Sequence, residues 1–211
     1  MEQGTVMHSD RRGGDGRRWT RRIAQTIIDD ALAVSERSVG DPLAPSTASV
    51  SYVTSAKARS TPGLVDWMFG LTKANMQEMY DACPAWGWDD RAKRGELDSD
   101  ASRFVLIGTS SPGASPDAFV HMRYELEGSV PVVYVYEIQV DARRQGRQLG
   151  RRLMAAVESL ARSLGFPMVM LTVFSGNERA KKFYEGQGYV KDSSSPEEAE
   201  DAGYLILSKQ L

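Results

Sequence analysis

Residues 132 to 154, VVYVYEIQVDARRQGRQLGRRLM, constrain the fold more than any other stretch of the chain. Apolar residues alternate at first, Glu137 enters near the end of the alternation, and arginines and glycines then lead into a helical pattern. Alternation has the period of a strand, and apolar residues at Leu149, Leu153, Ala156, Val157, Leu160 and Leu164 have the period of a helix face. The segment therefore reads as strand, short loop, helix. A loop of this kind exposes backbone N–H groups beside the partial positive charge of a helix N-terminus, which together suit a diphosphate. Four nearby guanidinium groups, from Arg143, Arg144, Arg147 and Arg151, add to that character. A turn softened by glycine and carrying solvated arginines is the other reading of the same residues.

Two strand patterns precede this unit, RFVLIGTS and AFVHMRYELE, and VPVVYVYEIQV completes a run of three joined by the turn-like SPGASPD and EGSVP. After the helix, MVMLTVF reads as a buried strand, NERAKKFYEGQG as a helix capped by Asn177, and YLILSKQ as a closing strand. Upstream, RRIAQTIIDDALAVSE has helical spacing, residues 37–63 read as irregular, and LTKANMQEMYDA reads as a helix with Thr72 as its N-cap. A Pro/Gly turn with two tryptophans, CPAWGWDDR, and a short helix over RAKRGEL follow. The sum is an α/β fold with a mixed, mostly antiparallel sheet flanked by helices. Residues 1–60 are expected to form a basic, partly mobile arm with one helix, and residues 61–211 the folded domain.

The 211 residues are enough to bury a core without staples, and the single cysteine, Cys83, excludes an internal disulfide. Two separated histidines, His8 and His121, give no metal-site spacing, so no metal is expected. No apolar run approaches the roughly 18 residues of a membrane span, so no membrane partner is expected. The formal charge of -2 leaves attraction to nucleic acid to local patches. RRGGDGRRWTRR, with six arginines against Asp15, is one such patch. It reads as a solvated arm, with a nuclear-import or nucleic-acid-contacting arm and a transit peptide as alternatives.

QGRQLGRRLM after YEIQV, followed by MLTVFSGNERAKKFYEGQGY, resembles the Gcn5-related N-acetyltransferase (GNAT) superfamily. The cofactor signature of that family falls on Gln145, Gly146, Arg147, Gln148, Leu149 and Gly150, with Gln148 where its first glycine usually stands. WMFGLTKANMQEMYDACPAWGWDDRAKRGEL, MRYELEG, VYVYEIQV, MLTVFSGN and YLILSK narrow the likeness to the NatD type of histone N-terminal acetyltransferase, over roughly residues 64 to 211.

The resemblance implies a GNAT fold, acetyl-CoA as cosubstrate, and transfer of acetyl to the α-amine of histones beginning Ser-Gly-Arg-Gly. It further implies histone tails as partners without an auxiliary subunit, and work in the nucleus and cytoplasm. Another acetyltransferase of the superfamily, acting on lysine side chains or a small amine, is the alternative. A noncatalytic module that binds the coenzyme or chromatin is the third reading.

Acetyl transfer needs a neutral amine, a held thioester and polarisation of its carbonyl. Glu137, set among apolar strand neighbours, is the candidate base, and an ion pair with an arginine is its purely structural reading. Strict alternation puts Tyr134 and Tyr136 opposite Glu137, so a β-bulge is predicted to bring all three to one site. By resemblance, Tyr80, Trp86, Tyr134, Tyr136 and Tyr204 frame the peptide N-terminus. Glu125 and Glu127 share a strand face suited to the arginine of the peptide, and the loop acids Glu197, Glu198, Glu200 and Asp201 read as a solvated loop or as steering for a basic tail. By the same resemblance, the cofactor side is made by the backbone of Gln139, Val140 and Asp141, the loop Gln145 to Gly150 with Arg151 and Arg152, and Thr172 and Asn177. Tyr184 is read as packing near the coenzyme.

Overall fold

The computed structural model describes residues 19–34, 37–38, 49–108, 115–197 and 202–211. Most of the arginine-rich arm, His8, and the acids Glu198, Glu200 and Asp201 lie outside the described residues.

Helix α1 (Arg21–Leu32) starts where the Thr20 hydroxyl accepts from the Ile23 N–H at 3.3 Å. It precedes β1 (Arg37–Ser38), β2 (Ser49–Thr54) and α2 (Ser55–Ser60). The expectation of irregular chain over 37–63 is thus corrected, because Val50, Tyr52 and Val53 are buried and β2 pairs antiparallel with β3 (Arg103–Gly108) from Ser49↔Gly108 to Thr54↔Arg103. Alternate serines in SVSYVT had masked a strand whose partner supplies the pairing. The sheet therefore runs across the expected boundary at residue 60, and α1 packs on it through Ile28 and Ala31.

Helix α3 (Leu64–Ala82) is longer than predicted. Thr72 is no cap: it is fully buried in mid-helix, on the face of Leu64 and Met68, and its hydroxyl donates to the Met68 carbonyl at 2.8 Å. Helix α4 (Asp90–Asp98) follows the tryptophan turn, capped by Asp89.

Strands β3, β4 (Ala118–Glu127) and β5 (Val130–Val140) form an antiparallel meander, and α5 (Leu149–Ser163) crosses over to put β6 (Met168–Phe174) parallel to β5. Helix α6 (Glu178–Glu185), β7 (Val190–Lys191) and β8 (Tyr204–Gln210) complete, among the described residues, an eight-stranded sheet in the order β1-β2-β3-β4-β5-β6-β8-β7. Alternation sorts the core onto two faces. Val105, Ile107, Val120 and Met122 pack with α1 and α5, whereas Phe104, Leu106 and Phe119 pack with α2, α3 and α4.

Two irregularities shape the centre of this sheet. Strand β5 pairs with β6 only from Val132↔Met168 to Val135↔Leu171, although β5 runs on to Val140 and β6 to Phe174. The strands part, and their facing edges lose their mutual ladder bonds. On its other side β5 pairs Met122↔Val135 and then His121↔Glu137, so Tyr136 is an extra residue. This is the predicted bulge.

Candidate active site

The parting of β5 and β6 opens two adjoining cavities. One, about 510 Å³, is lined by Tyr80, Trp86, Tyr134, Tyr136, Glu137 and Phe174, among others. The other, about 620 Å³, is lined by Val140, Arg144, Gln148, Gly150, Arg151 and Arg179 with their neighbours. Ile138, Gln139, Asn177 and Tyr184 line both, so the two share a wall at the end of β5.

Because of the bulge, Tyr134, Tyr136 and Glu137 all line the first cavity. The surroundings of Glu137 differ from the apolar ones expected. Its Oε1 accepts from Lys93 Nζ at 2.8 Å and from the Tyr80 hydroxyl at 3.0 Å, and its Oε2 accepts from Gln139 Nε2 at 2.8 Å. The ion pair weighed as the structural reading exists, with Lys93 instead of an arginine, and both side chains are buried. Burial opposes the charge on Lys93, yet the carboxylates of Glu137 and Glu96 prevail and hold its ammonium protonated well above the usual lysine range.

Tyr80 accepts from Lys93 at 2.8 Å while donating to Glu137, and burial, followed by the Glu137 charge, pushes its ionisation up. Behind Lys93, Glu96 lies 3.6 Å from His121 Nδ1, and His121 Nε2 is 2.9 Å from Ser102 Oγ. Burial lowers the proton affinity of this imidazole, which is neutral at physiological pH.

Aromatic rings build the rest of the first cavity. Trp86 stacks on Tyr204 with centroids 4.5 Å apart, and Phe174 meets Tyr80 edge-on at 5.0 Å. Tyr204 thus backs Trp86. The Tyr136 hydroxyl donates to Glu125, and Tyr134 and Thr172 share a hydroxyl hydrogen bond. Glu125 and Glu127 lie on one face of β4 at the end near Tyr134, whose phenol keeps its proton through burial, the Thr172 bond notwithstanding, with the two carboxylates adding to the shift. Arg123 shares their face and stands 4.7 Å from the centroid of the Tyr136 ring.

In the second cavity, Asp141 leads into a 3-10 turn (Ala142–Arg144), and the loop enters α5 through Gln148, which has φ 60. Gln148 is the one non-glycine with positive φ among the described residues, and Gly146 has φ 76. A loop that needs the left-handed region twice explains why glycine is usual there. Gly150 answers a different need, since a Cβ on it would come within 3.2 Å of the Phe183 ring. It lets α5 and α6 approach. Asn177 caps α6 by accepting from the Ala180 N–H at 3.0 Å.

Not every residue expected on the cofactor lies there. The Asp141 N–H donates to the Asp117 carbonyl, its own carbonyl accepts from the Arg144 N–H, and its carboxylate holds Arg143, so its backbone is spent before any ligand arrives. Arg152 is buried on α5 and Arg147 points to solvent, neither lining the cleft. Thr172 belongs to the first cavity with Tyr134. Gln139, Val140, Gln145, Gly146, Gln148, Leu149, Gly150, Arg151 and Asn177 do line the second.

Reading the chain linearly had overlooked Lys93, Glu96, Asn75, Phe174 and Arg179. Lys93 carried a signal, because it lies four residues before the fully buried Leu97 and so on the inner face of α4. The others become visible only when α3, α4 and α6 converge on β5 and β6.

The residues at the second cavity fit a nucleotide thioester: a helix N-terminus with three guanidinium groups for phosphates, and a free strand edge for an extended amide-bearing arm. The profile described as the acetyltransferase (GNAT) family matches residues 73–189. N-alpha-acetyltransferase 40 of Saccharomyces cerevisiae is 42% identical over 77 residues, a span covering 33% of this chain and 27% of that protein. The similarity thus spans about a quarter of the length of that relative. Arabidopsis thaliana Naa50, solved in complex with the bisubstrate analogue CoA-Ac-MVNAL, superposes with TM-score 0.54 at 17% identity, over 79% of this chain and 100% of that one. Ard1 from Thermoplasma volcanium gives TM-score 0.54 at 14% identity, over 79% and 99% of the two chains. At these identities the structural likeness is one of fold.

Proposed function

The chain belongs to the acetyltransferase (GNAT) family, and we propose that within it this protein is an N-alpha-acetyltransferase for histones beginning Ser-Gly-Arg-Gly. The observation that carries the reading is the shared wall at the end of β5. It sets Glu137 in an aromatic cavity directly beside the cleft suited to acetyl-CoA. The similarity to N-alpha-acetyltransferase 40, partial as it is, supports the same class of acceptor.

In this reading acetyl-CoA lies along the free edge of β5 with its phosphates at Arg144, Arg151 and the N-terminus of α5. The peptide enters over Tyr80, Trp86, Tyr134 and Tyr136, whose close rings pass a thin chain end. Glu137 takes the proton from the α-ammonium, directly or through water. The freed lone pair attacks the thioester carbonyl, the C–S bond breaks, and the amide nitrogen gives up its second proton as the thiolate takes one up. An α-amine with a pKa near about 7.7 to 8 needs only a modest base. Glu125 and Glu127 meet the arginine at the third peptide position. With this substrate the activity belongs to the nucleus and cytoplasm, without an auxiliary subunit.

The test is acetylation of a Ser-Gly-Arg-Gly-Lys peptide beside the same peptide with a blocked α-amine and one with Arg changed to Ala, by the wild type and Glu137→Gln. The free-amine, Arg-containing peptide alone is expected to turn over, and Glu137→Gln to slow it about 100-fold or more while still binding acetyl-CoA. Equal acetylation of the blocked peptide would make the acceptor a lysine side chain and end the reading.

A further inference from the structure

One hydrogen-bonded chain links the two cavities through residues to which the reaction above gives no part. Asn75 Nδ2, from α3, donates to the Val140 carbonyl at 3.3 Å and to Gln139 Oε1 at 2.9 Å. Gln139 Nε2 then donates to Glu137 Oε2 at 2.8 Å, and the Gln139 side chain is buried. The two ends of this chain are a backbone carbonyl and a carboxylate oxygen, which only accept. Reversing the Asn75 amide would face its oxygen to the Val140 oxygen, and reversing Gln139 would face its oxygen to Glu137. Each amide therefore has one satisfied orientation.

The consequence for Glu137 is geometric. A carboxylate offers about four acceptor positions. Lys93 and Tyr80 occupy Oε1, and Gln139 takes one position on Oε2.

We propose that Asn75 and Gln139 are positioning residues for acetyl transfer, orienting Glu137 so that its remaining acceptor position, on Oε2, serves the incoming amine. The pair also ties the carboxylate to the β5 backbone that lines the coenzyme cleft. The part played in catalysis rests on the acetyltransferase reading of the site; the amide orientation itself does not.

Asn75→Asp tests this with a nearly isosteric change. An aspartate at that position accepts from the Gln139 amide group, which turns Gln139 Oε1 toward Glu137 Oε2. Asn75→Ala removes the tether and leaves Gln139 free to keep donating to Glu137. The expected result is a kcat about 100-fold down in Asn75→Asp and about tenfold or less down in Asn75→Ala, with KM for acetyl-CoA within about threefold in both. Equal losses in the two variants, or a loss confined to KM for acetyl-CoA, would overturn the proposal. Gln139→Met, which keeps the volume and removes the donor, is the second variant, and an unchanged kcat there overturns it too.

A readout that needs no turnover is the side-chain amide resonance of Gln139 in labelled full-length protein. It is expected to move on Glu137→Gln in the wild-type background and to stay put in the Asn75→Asp background. The same response in both backgrounds would sink the clamp. Absence of any acetylated N-terminus with the wild type would instead remove the functional reading, and the resonance still decides the orientation.

Discussion

Lys93 Nζ lies 2.8 Å from Glu137 Oε1, and the two side chains are only 7% and 3% exposed. Removing Lys93 leaves the Glu137 carboxylate buried with only neutral donors, Tyr80 and Gln139. We expect Lys93→Met to cost about 3–5 kcal/mol in denaturant unfolding, and Lys93→Met with Glu137→Leu to recover most of it. A double variant no more stable than the single one would show that the pair is not what holds α4 to β5.

His121 makes stability depend on pH in a definite direction. Its folded proton affinity is lowered from 6.5, chiefly by burial. Glu96 faces it from α4, Arg123, Tyr136 and Glu137 from the sheet, and Ser102 and Phe104 from the entry to β3. Between the folded and unfolded values the unfolded chain binds more protons, so stability is flat above 6.5 and declines as pH falls from there through the lowered folded value. Glu96, also lowered, adds a second decline only below 4.5. Unfolding measured at about pH 7.5 and about pH 5.5 should differ in the wild type and much less in His121→Gln.

Glu125 accepts from the Tyr136 hydroxyl, and Glu125→Gln keeps an acceptor there while removing the charge. KM for the Arg-containing peptide is expected to rise about tenfold or more. Binding of the peptide with Arg changed to Ala, read as its inhibition of turnover of the Arg-containing peptide, should show no change. An equal effect on both peptides would remove Glu125 from arginine recognition.

Gly150 stands where a Cβ would press on Phe183 at 3.2 Å. Gly150→Ala should therefore cost about 1–3 kcal/mol and weaken acetyl-CoA binding, since α5 carries the phosphate end of the cleft. In Gly150→Ala with Phe183→Ala the two losses should fail to add, which a double-mutant cycle measures.

Much of the architecture follows from short-range pattern. The alternation of VPVVYVYEIQV, the helical face from Leu149 to Leu164 and the Asn177 cap each state their element locally, and the bulge at Tyr136 follows from asking Tyr134, Tyr136 and Glu137 to share a site. Strand β2 was not legible. SVSYVT alternates Val50 and Tyr52 but sits in a stretch rich in Ser, Ala, Pro and Gly, and only the β3 ladder and the core beneath Tyr52 mark it as a strand.

The sequence by itself determined the order of elements from β3 through α6, the position of the carboxylate on β5 and the glycine loop ahead of α5, because backbone periodicity and turn chemistry act over a few residues. Tertiary structure alone decided what Glu137 touches. Lys93, Tyr80 and Asn75 come from two helices more than forty residues upstream, and Asn75 reaches the carboxylate only through Gln139. A buried anion must find donors wherever packing supplies them. That requirement, met across α3, α4 and β5, turned an expected apolar pocket into a hydrogen-bonded one.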